Sequence, residues 1–87
     1  MNLNQISKGN KLTNILNFAA CKQLVRKAKK NNDTYIILCP HYSINIASKY
    51  DDVEMLQWDL DELSDYLGYY AEVSDYDDLI VSLTDSE

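Results

Sequence analysis

The charged residues of this chain are divided between its two parts. All eight Lys and Arg residues lie in residues 1–50 with a single acid, whereas residues 51–87 carry thirteen acids and no Lys, Arg or His. The formal charge is therefore +7 in the first part and −13 in the second, which gives a net charge of −6. Like charges this dense repel each other and destabilise a compact state. The fold must therefore bring the basic part next to the acidic part or keep the acids at the surface.

A basic amphipathic helix is predicted over residues 18–30. Its apolar stripe consists of residues at spacings of three and four, namely Phe18, Cys21, Leu24, Val25 and Ala28. Another face carries cations, namely Lys22, Arg26, Lys29 and Lys30. Cations in the last turn also suit the negative end of the helix dipole. The stretch therefore predicts a helix with one buried and one basic face.

Two strands are predicted after that helix. Residues 34–39 are rich in β-branched and aromatic residues and are apolar on both faces, which is typical of a central strand. Pro40 ends this segment. Residues 42–48 alternate between apolar and polar residues, so they predict a half-buried strand.

The sequence on either side of Asp59 allows two interpretations. The favoured one makes residues 53–58 a strand and residues 60–70 a helix, because Asp59 followed three residues later by Glu62 is typical of a helix N-terminus. The alternative makes residues 52–70 one long helix, because apolar residues recur three and four apart throughout it.

A last strand is predicted over residues 78–84, which also alternate. The predicted order of elements is therefore α-β-β-β-α-β. We expect an α+β fold, a small two-layer sandwich with the helices packed on one mainly antiparallel sheet. A chain of 87 residues is long enough for one domain, and no linker or break in composition divides residues 1–87.

The acidic part repeats one short phrase, ELSDY from Glu62 and EVSDY from Glu72. Ten residues turn an α-helix by about 280°, so the two copies cannot share one helix face. We expect the first copy on the helix and the second in the connection to the last strand, where together they line one acidic rim. The rim is predicted to consist of the acids Asp59, Asp61, Glu62, Asp65, Glu72, Asp75, Asp77 and Asp78 and the tyrosines Tyr66, Tyr69 and Tyr76. Tyr70 is expected to face the core.

A surface that mixes carboxylates with tyrosines is typical of protein binding. Carboxylates along a helix and a turn can take the place of DNA phosphates in a groove lined by Lys and Arg, and tyrosine adds contact area at low entropic cost. The sequence therefore predicts a non-catalytic inhibitor or decoy that occupies the basic surface of a nucleic-acid-handling enzyme or a ribonucleoprotein. In size and charge the chain is similar to anti-CRISPR proteins, anti-restriction DNA mimics, glycosylase inhibitors and nuclease immunity proteins, with which it shares no aligned motif.

Two other interpretations of the charge division stay open. One is a solvated acidic face, or a dipolar domain whose two parts face each other. The other is an assembly module that associates head to tail through its +7 and −13 parts. Direct nucleic-acid binding by the basic helix is not favoured, because the acidic remainder repels a duplex.

The sequence offers little for catalysis or metal binding. His41 follows Cys39 by two residues, but no third residue is evident to orient the imidazole. Cys21, Cys39 and His41 lack the C-x-x-C spacing of zinc sites, and the acidic clusters lack the glycine of a calcium loop. No catalytic residue, metal or cofactor is predicted, and whether the two cysteines form a disulfide is left open.

The location of the protein is predicted from two further features of the sequence. The chain has no apolar run of about 18 residues, so no membrane span is expected. Its first residues lack the apolar stretch of a signal peptide. We therefore expect a cytoplasmic protein.

Overall fold

The computed structural model describes residues 10–84. The helices and strands are, in chain order, α1 (Phe18–Lys30), β1 (Tyr35–Cys39), α2 (Tyr42–Asn45), α3 (Val53–Leu67), β2 (Ala71–Val73) and β3 (Leu79–Ser82). Short 3-10 turns at Lys11–Asn14 and Ala47–Lys49 precede α1 and α3. The predicted α+β class is confirmed, and two of the predicted strands prove to be helical.

The three strands form one antiparallel sheet in the order β1-β3-β2. Leu79 and Val81 of β3 are buried, and so is Ala71 of β2, which pairs with Val81. On the other face Ile37 of β1 and Glu72 of β2 are exposed, and both pair with Ile80 of β3. The helices therefore cover one face of the sheet only. Strand β1 lies at an edge, although its apolar sequence predicted a central strand.

Helix α1 forms where the sequence predicts it. The side chain of Asn17 caps its start by accepting a hydrogen bond of 2.9 Å from the backbone N–H of Ala20. The predicted apolar stripe is mostly correct, but Leu24 is 47% exposed because it lies a further 100° around the helix from Val25. The buried residues of α1 are Phe18, Cys21, Val25 and Ala28.

Residues 42–48, predicted as a strand, form α2 and the 3-10 turn after it. The alternating pattern was misleading because Tyr42 and Ile46 are also four residues apart, a spacing that places them on one helix face. Both are buried, whereas Ile44 between them is exposed.

Residues 53–58, also predicted as a strand, are the first part of α3, in agreement with the alternative of one long helix. The N-cap is Asp52 and not Asp59. One carboxylate oxygen of Asp52 accepts hydrogen bonds from the backbone N–H groups of Glu54 at 2.9 Å and Met55 at 3.4 Å. The predicted helix start at Asp59 is therefore wrong, because Asp59 lies inside a helix that begins at Val53.

Helix α3 ends at Leu67 because Gly68 adopts a φ of 82°, which glycine reaches without strain. The N–H of Gly68 donates to the carbonyl of Ser64 at 2.8 Å. Apolar residues of α1, α3, the buried sheet face and the segments that connect them then form one core. Its largest fully buried side chains are Leu12, Ile46, Leu63, Leu79 and Val81.

Candidate functional site

The outward side of α3 combines three carboxylates with a tryptophan. Glu54, Trp58, Asp61 and Asp65 follow one another at spacings of four, three and four, so they form one stripe along the helix. All four are exposed, and Trp58 keeps 67% of its surface accessible. We call these four residues the α3 face. An aromatic ring this exposed has no role in the core, so it is available for contact with another molecule.

The α3 face is negative along its whole length. Val53–Leu67 contains no Lys or Arg, so no cation of the helix neutralises these acids at spacings of three or four. The side-chain amide of Gln57 donates a hydrogen bond of 3.0 Å to Asp61 and orients its carboxylate. Charge and aromatic surface are therefore held together on one rigid element.

Sequence reasoning missed Glu54 and Trp58 as site residues. It placed both in a strand, where they share no face with Asp61 and Asp65. The signal that identifies them is the four-three-four spacing, which acquires meaning only when residues 52–70 are treated as one helix.

The sequence predicted that Asp59 belongs to an exposed rim, but the structure buries it. It is 6% exposed, and its carboxylate accepts hydrogen bonds from the Tyr50 hydroxyl at 2.5 Å and from the backbone N–H of Lys11 at 3.1 Å. Burial, together with the hydrogen bond to Asp59, raises the pKa of the Tyr50 hydroxyl far above its usual range. Asp59 therefore fastens the segment before α1 and the turn before α3 to the middle of α3.

Glu62 and Tyr66 lie on the side of α3 that faces α1. Both are half-buried, and Glu62 accepts a hydrogen bond of 3.0 Å from the side-chain amide of Asn10. The Tyr66 ring lies 5.9 Å from the Phe18 ring, and the Lys22 ammonium stands 4.9 Å from the Tyr66 centroid. Of these two predicted rim residues, Tyr66 therefore packs against α1, and Glu62 holds the segment before α1 to α3.

The roles predicted for the two tyrosines after α3 are reversed. Tyr69 is half-buried and packs against the core, with the Lys29 ammonium 5.6 Å from its ring centroid. Tyr70, expected to face the core, is 61% exposed. The reason is that α3 ends at Leu67, so the helical periodicity that placed Tyr70 inward does not extend to it.

Three predicted acids lie in the turn between β2 and β3. Asp75 is exposed, as is Tyr76, whereas Asp77 and Asp78 are half-buried. Asp77, with a φ of 64°, accepts a hydrogen bond of 2.8 Å from the Ser43 hydroxyl through its carboxylate. Its carbonyl also accepts one of 2.7 Å from the backbone N–H of Tyr42. Asp77 therefore holds the first turn of α2 in place.

The predicted acids do not share one rim. Glu72 lies on the sheet face that no helix covers, whereas Asp61 and Asp65 point away from the sheet on the other layer. The turn that carries Asp75 is a third location, at the end of the sheet. A run of acids in the sequence is divided in this way because a helix, a strand and a turn each aim their side chains differently. Among residues 10–84, the α3 face brings three exposed acids together with an aromatic residue on one element.

The two cysteine thiols both have raised pKa values. Both cysteines are free. Burial raises the pKa of Cys21 to about 11, and burial followed by the charge of Asp78 raises that of Cys39. Thiols with raised pKa values stay protonated at neutral pH, which makes them poor nucleophiles. Among residues 10–84, no group of three or more His, Cys, Asp or Glu side chains is placed to hold a metal ion.

Comparison with protein-family models, with curated proteins and with solved structures finds no match to this chain. Within the described part of the chain, none of the helices combines the length and apolar character needed to cross a bilayer.

Proposed function

We propose that this chain is a small, non-catalytic inhibitor or decoy that binds a basic, nucleic-acid-binding surface of a partner protein through its α3 face. The observation that carries the proposal is the exposed Trp58 with Glu54, Asp61 and Asp65 beside it on one helix. A solvated acidic helix has no need of a tryptophan at the centre of its charged stripe.

The length of the α3 face suits a surface that binds phosphates. Glu54 and Asp65 are eleven residues apart, which corresponds to about 16 Å along a helix. One strand of B-DNA places a phosphate about every 3.4 Å of axis, so this length equals about five nucleotides. Three carboxylates over that length carry less charge than DNA, and binding therefore depends on the aromatic contact as well.

Trp58 supplies that contact. A tryptophan buries a large area on binding, and its ring attracts the Lys and Arg side chains that line such grooves. Tryptophans at the centre of interfaces commonly contribute about 2 kcal/mol or more, or about 30-fold in affinity. The acids would then steer the complex and set its orientation.

A cytoplasmic location is part of the same proposal. Its support is that Cys21 and Cys39 are both free, which is usual where the cell keeps thiols reduced.

Charge reversal on two different surfaces tests the proposal. Asp61→Lys/Asp65→Lys changes the α3 face, and Glu72→Lys/Asp75→Lys makes the same change in net charge elsewhere. Each variant and the wild type are immobilised, and the host proteins that they retain are identified. A retained protein is then tested for competition between the chain and its nucleic acid.

We expect a nucleic-acid-binding protein that the wild type and the Glu72→Lys/Asp75→Lys variant retain and that the α3-face variant loses. Its nucleic acid should displace the chain. Equal retention by both variants would contradict the assignment of the α3 face. A captured protein whose nucleic acid does not compete would contradict the decoy mechanism.

A further inference from the structure

The cations of α1 form a stripe on its exposed side. Lys22, Arg26, Lys29 and Lys30 fall within about 100° of one another around the helix. Arg26, Lys29 and Lys30 are exposed, and Lys22 is half-buried. We call these four residues the cationic stripe. The proposed function assigns no role to it.

The cationic stripe lies beside the α3 face. Lys22 and Lys29 reach over the rings of Tyr66 and Tyr69, at 4.9 Å and 5.6 Å from their centroids. Tyr66 and Asp65 are consecutive on α3, so they lie on neighbouring sides of it, about 100° apart. The two tyrosines therefore form a seam with the positive stripe on one side and the negative α3 face on the other.

This arrangement makes one side of the molecule complementary to itself. When two copies face each other across a two-fold axis near the seam, the cationic stripe of each copy meets the α3 face of the other. Head-to-tail association requires opposite charges at opposite ends of a molecule, and it continues into chains. When opposite charges lie side by side on one surface, association stops at a closed dimer instead.

We propose that the partner of the cationic stripe is the α3 face of a second copy of this chain, in a closed two-fold dimer. The contacts over the tyrosine rings do not neutralise Lys22 and Lys29, because a ring carries no net charge. Arg26 and Lys30 are exposed, and they provide the charge that meets Asp61 and Asp65 of the other copy.

The dimer does not depend on the proposed function, although both use Asp61 and Asp65. A basic partner and a second copy therefore compete for the same acids. Dimer formation would keep the α3 face covered until a partner with higher positive charge displaces the second copy.

Sedimentation velocity of the full chain tests this proposal, with paired charge reversals. Arg26→Glu/Lys30→Glu changes the cationic stripe at exposed positions, and Asp61→Lys/Asp65→Lys changes the α3 face. The control variant, Lys27→Glu/Glu72→Lys, alters exposed residues outside both surfaces. Each protein is measured over a range of concentrations at salt of about 0.05 M and about 0.5 M.

We expect the wild type and the control to sediment at twice the chain mass of 10.0 kDa at low salt and to dissociate at high salt. The association constant of each reversal variant alone should be lower than that of the wild type by about tenfold or more. An equal mixture of the two reversal variants should recover the dimer, because their altered surfaces are complementary again. Recovery on mixing also shows that both variants are folded.

Two results would overturn the dimer. One is a wild type that stays monomeric at low salt over the whole concentration range. The other is a dimer that both reversal variants retain, or that their mixture fails to recover. Neither result bears on binding of a basic partner to the α3 face, which is measured separately by retention of that partner.

Discussion

Replacement of Asp59 by Ala is expected to destabilise the protein by about 2–3 kcal/mol. The buried carboxylate accepts two hydrogen bonds, from the Tyr50 hydroxyl at 2.5 Å and from the backbone N–H of Lys11 at 3.1 Å. A hydrogen bond to a charged group contributes about 1.5 kcal/mol or more, so the two together give about 3 kcal/mol. The higher helix propensity of Ala offsets about 0.5 kcal/mol of this loss.

The measurement is unfolding by urea, monitored by far-ultraviolet circular dichroism. Trp58 is too exposed for its fluorescence to report on the core. A domain of this size has a free energy of unfolding of about 4–13 kcal/mol, so the Asp59→Ala variant should still fold. Asp65→Ala on the same helix is the control, and its free energy of unfolding should stay within about 0.5 kcal/mol of wild type.

A double-mutant cycle with Tyr50→Phe separates the hydrogen bond from other effects. We expect a coupling free energy of about 1 kcal/mol or more between Asp59 and Tyr50. A loss of less than about 0.5 kcal/mol in Asp59→Ala, with no coupling, would refute the structural role of this residue.

Three further predictions concern local interactions. The free energy of unfolding should fall as the pH rises above about 10, because the raised pKa of Tyr50 keeps its proton on the folded state while the unfolded state loses it. Urea unfolding at several pH values should therefore show a shallower fall in Tyr50→Phe, and identical slopes would contradict the pKa shift. Asp52→Ala should lower the free energy of unfolding by about 1 kcal/mol through loss of the N-cap of α3, and Asp52→Ser should restore most of it. Gly68→Ala should cost about 1 kcal/mol in the same assay, because its φ of 82° is strained for other residues, and an unchanged stability would contradict that conformation.

The sequence predicts an element correctly where its pattern of apolar residues fits only a helix or only a strand. Helix α1 combines an apolar stripe with a helical period, and β3 alternates between buried and less buried residues. Residues 42–48 and 53–58 are helical although the sequence predicts strands there, because short apolar patterns fit the periods of both a helix and a strand. Residues 53–58 are ambiguous because Asp59 has the sequence context of an N-cap, whereas Asp52 caps the helix in the structure.

The candidate site was predicted less well than the fold. Asp61 and Asp65 are exposed on α3 as expected, whereas Asp59 and Asp77 hold neighbouring segments in place. Sequence alone does not distinguish a carboxylate that accepts hydrogen bonds within the fold from one that faces solvent. The hydrogen-bond donors lie far away in the chain, as Lys11 and Tyr50 do from Asp59. The charge division nevertheless predicts correctly that exposed acids lie on α3.

Partner binding through the α3 face is tested most directly by the affinity of the partner for two aromatic variants. Trp58 is 67% exposed on the α3 face and Tyr76 is 86% exposed in the turn between β2 and β3, so Ala replaces a free aromatic ring in each case. We predict that Trp58→Ala raises the dissociation constant about 30-fold and that Tyr76→Ala changes it less than about threefold. A larger loss with Tyr76→Ala, or no loss with Trp58→Ala, would show that the partner binds a different surface.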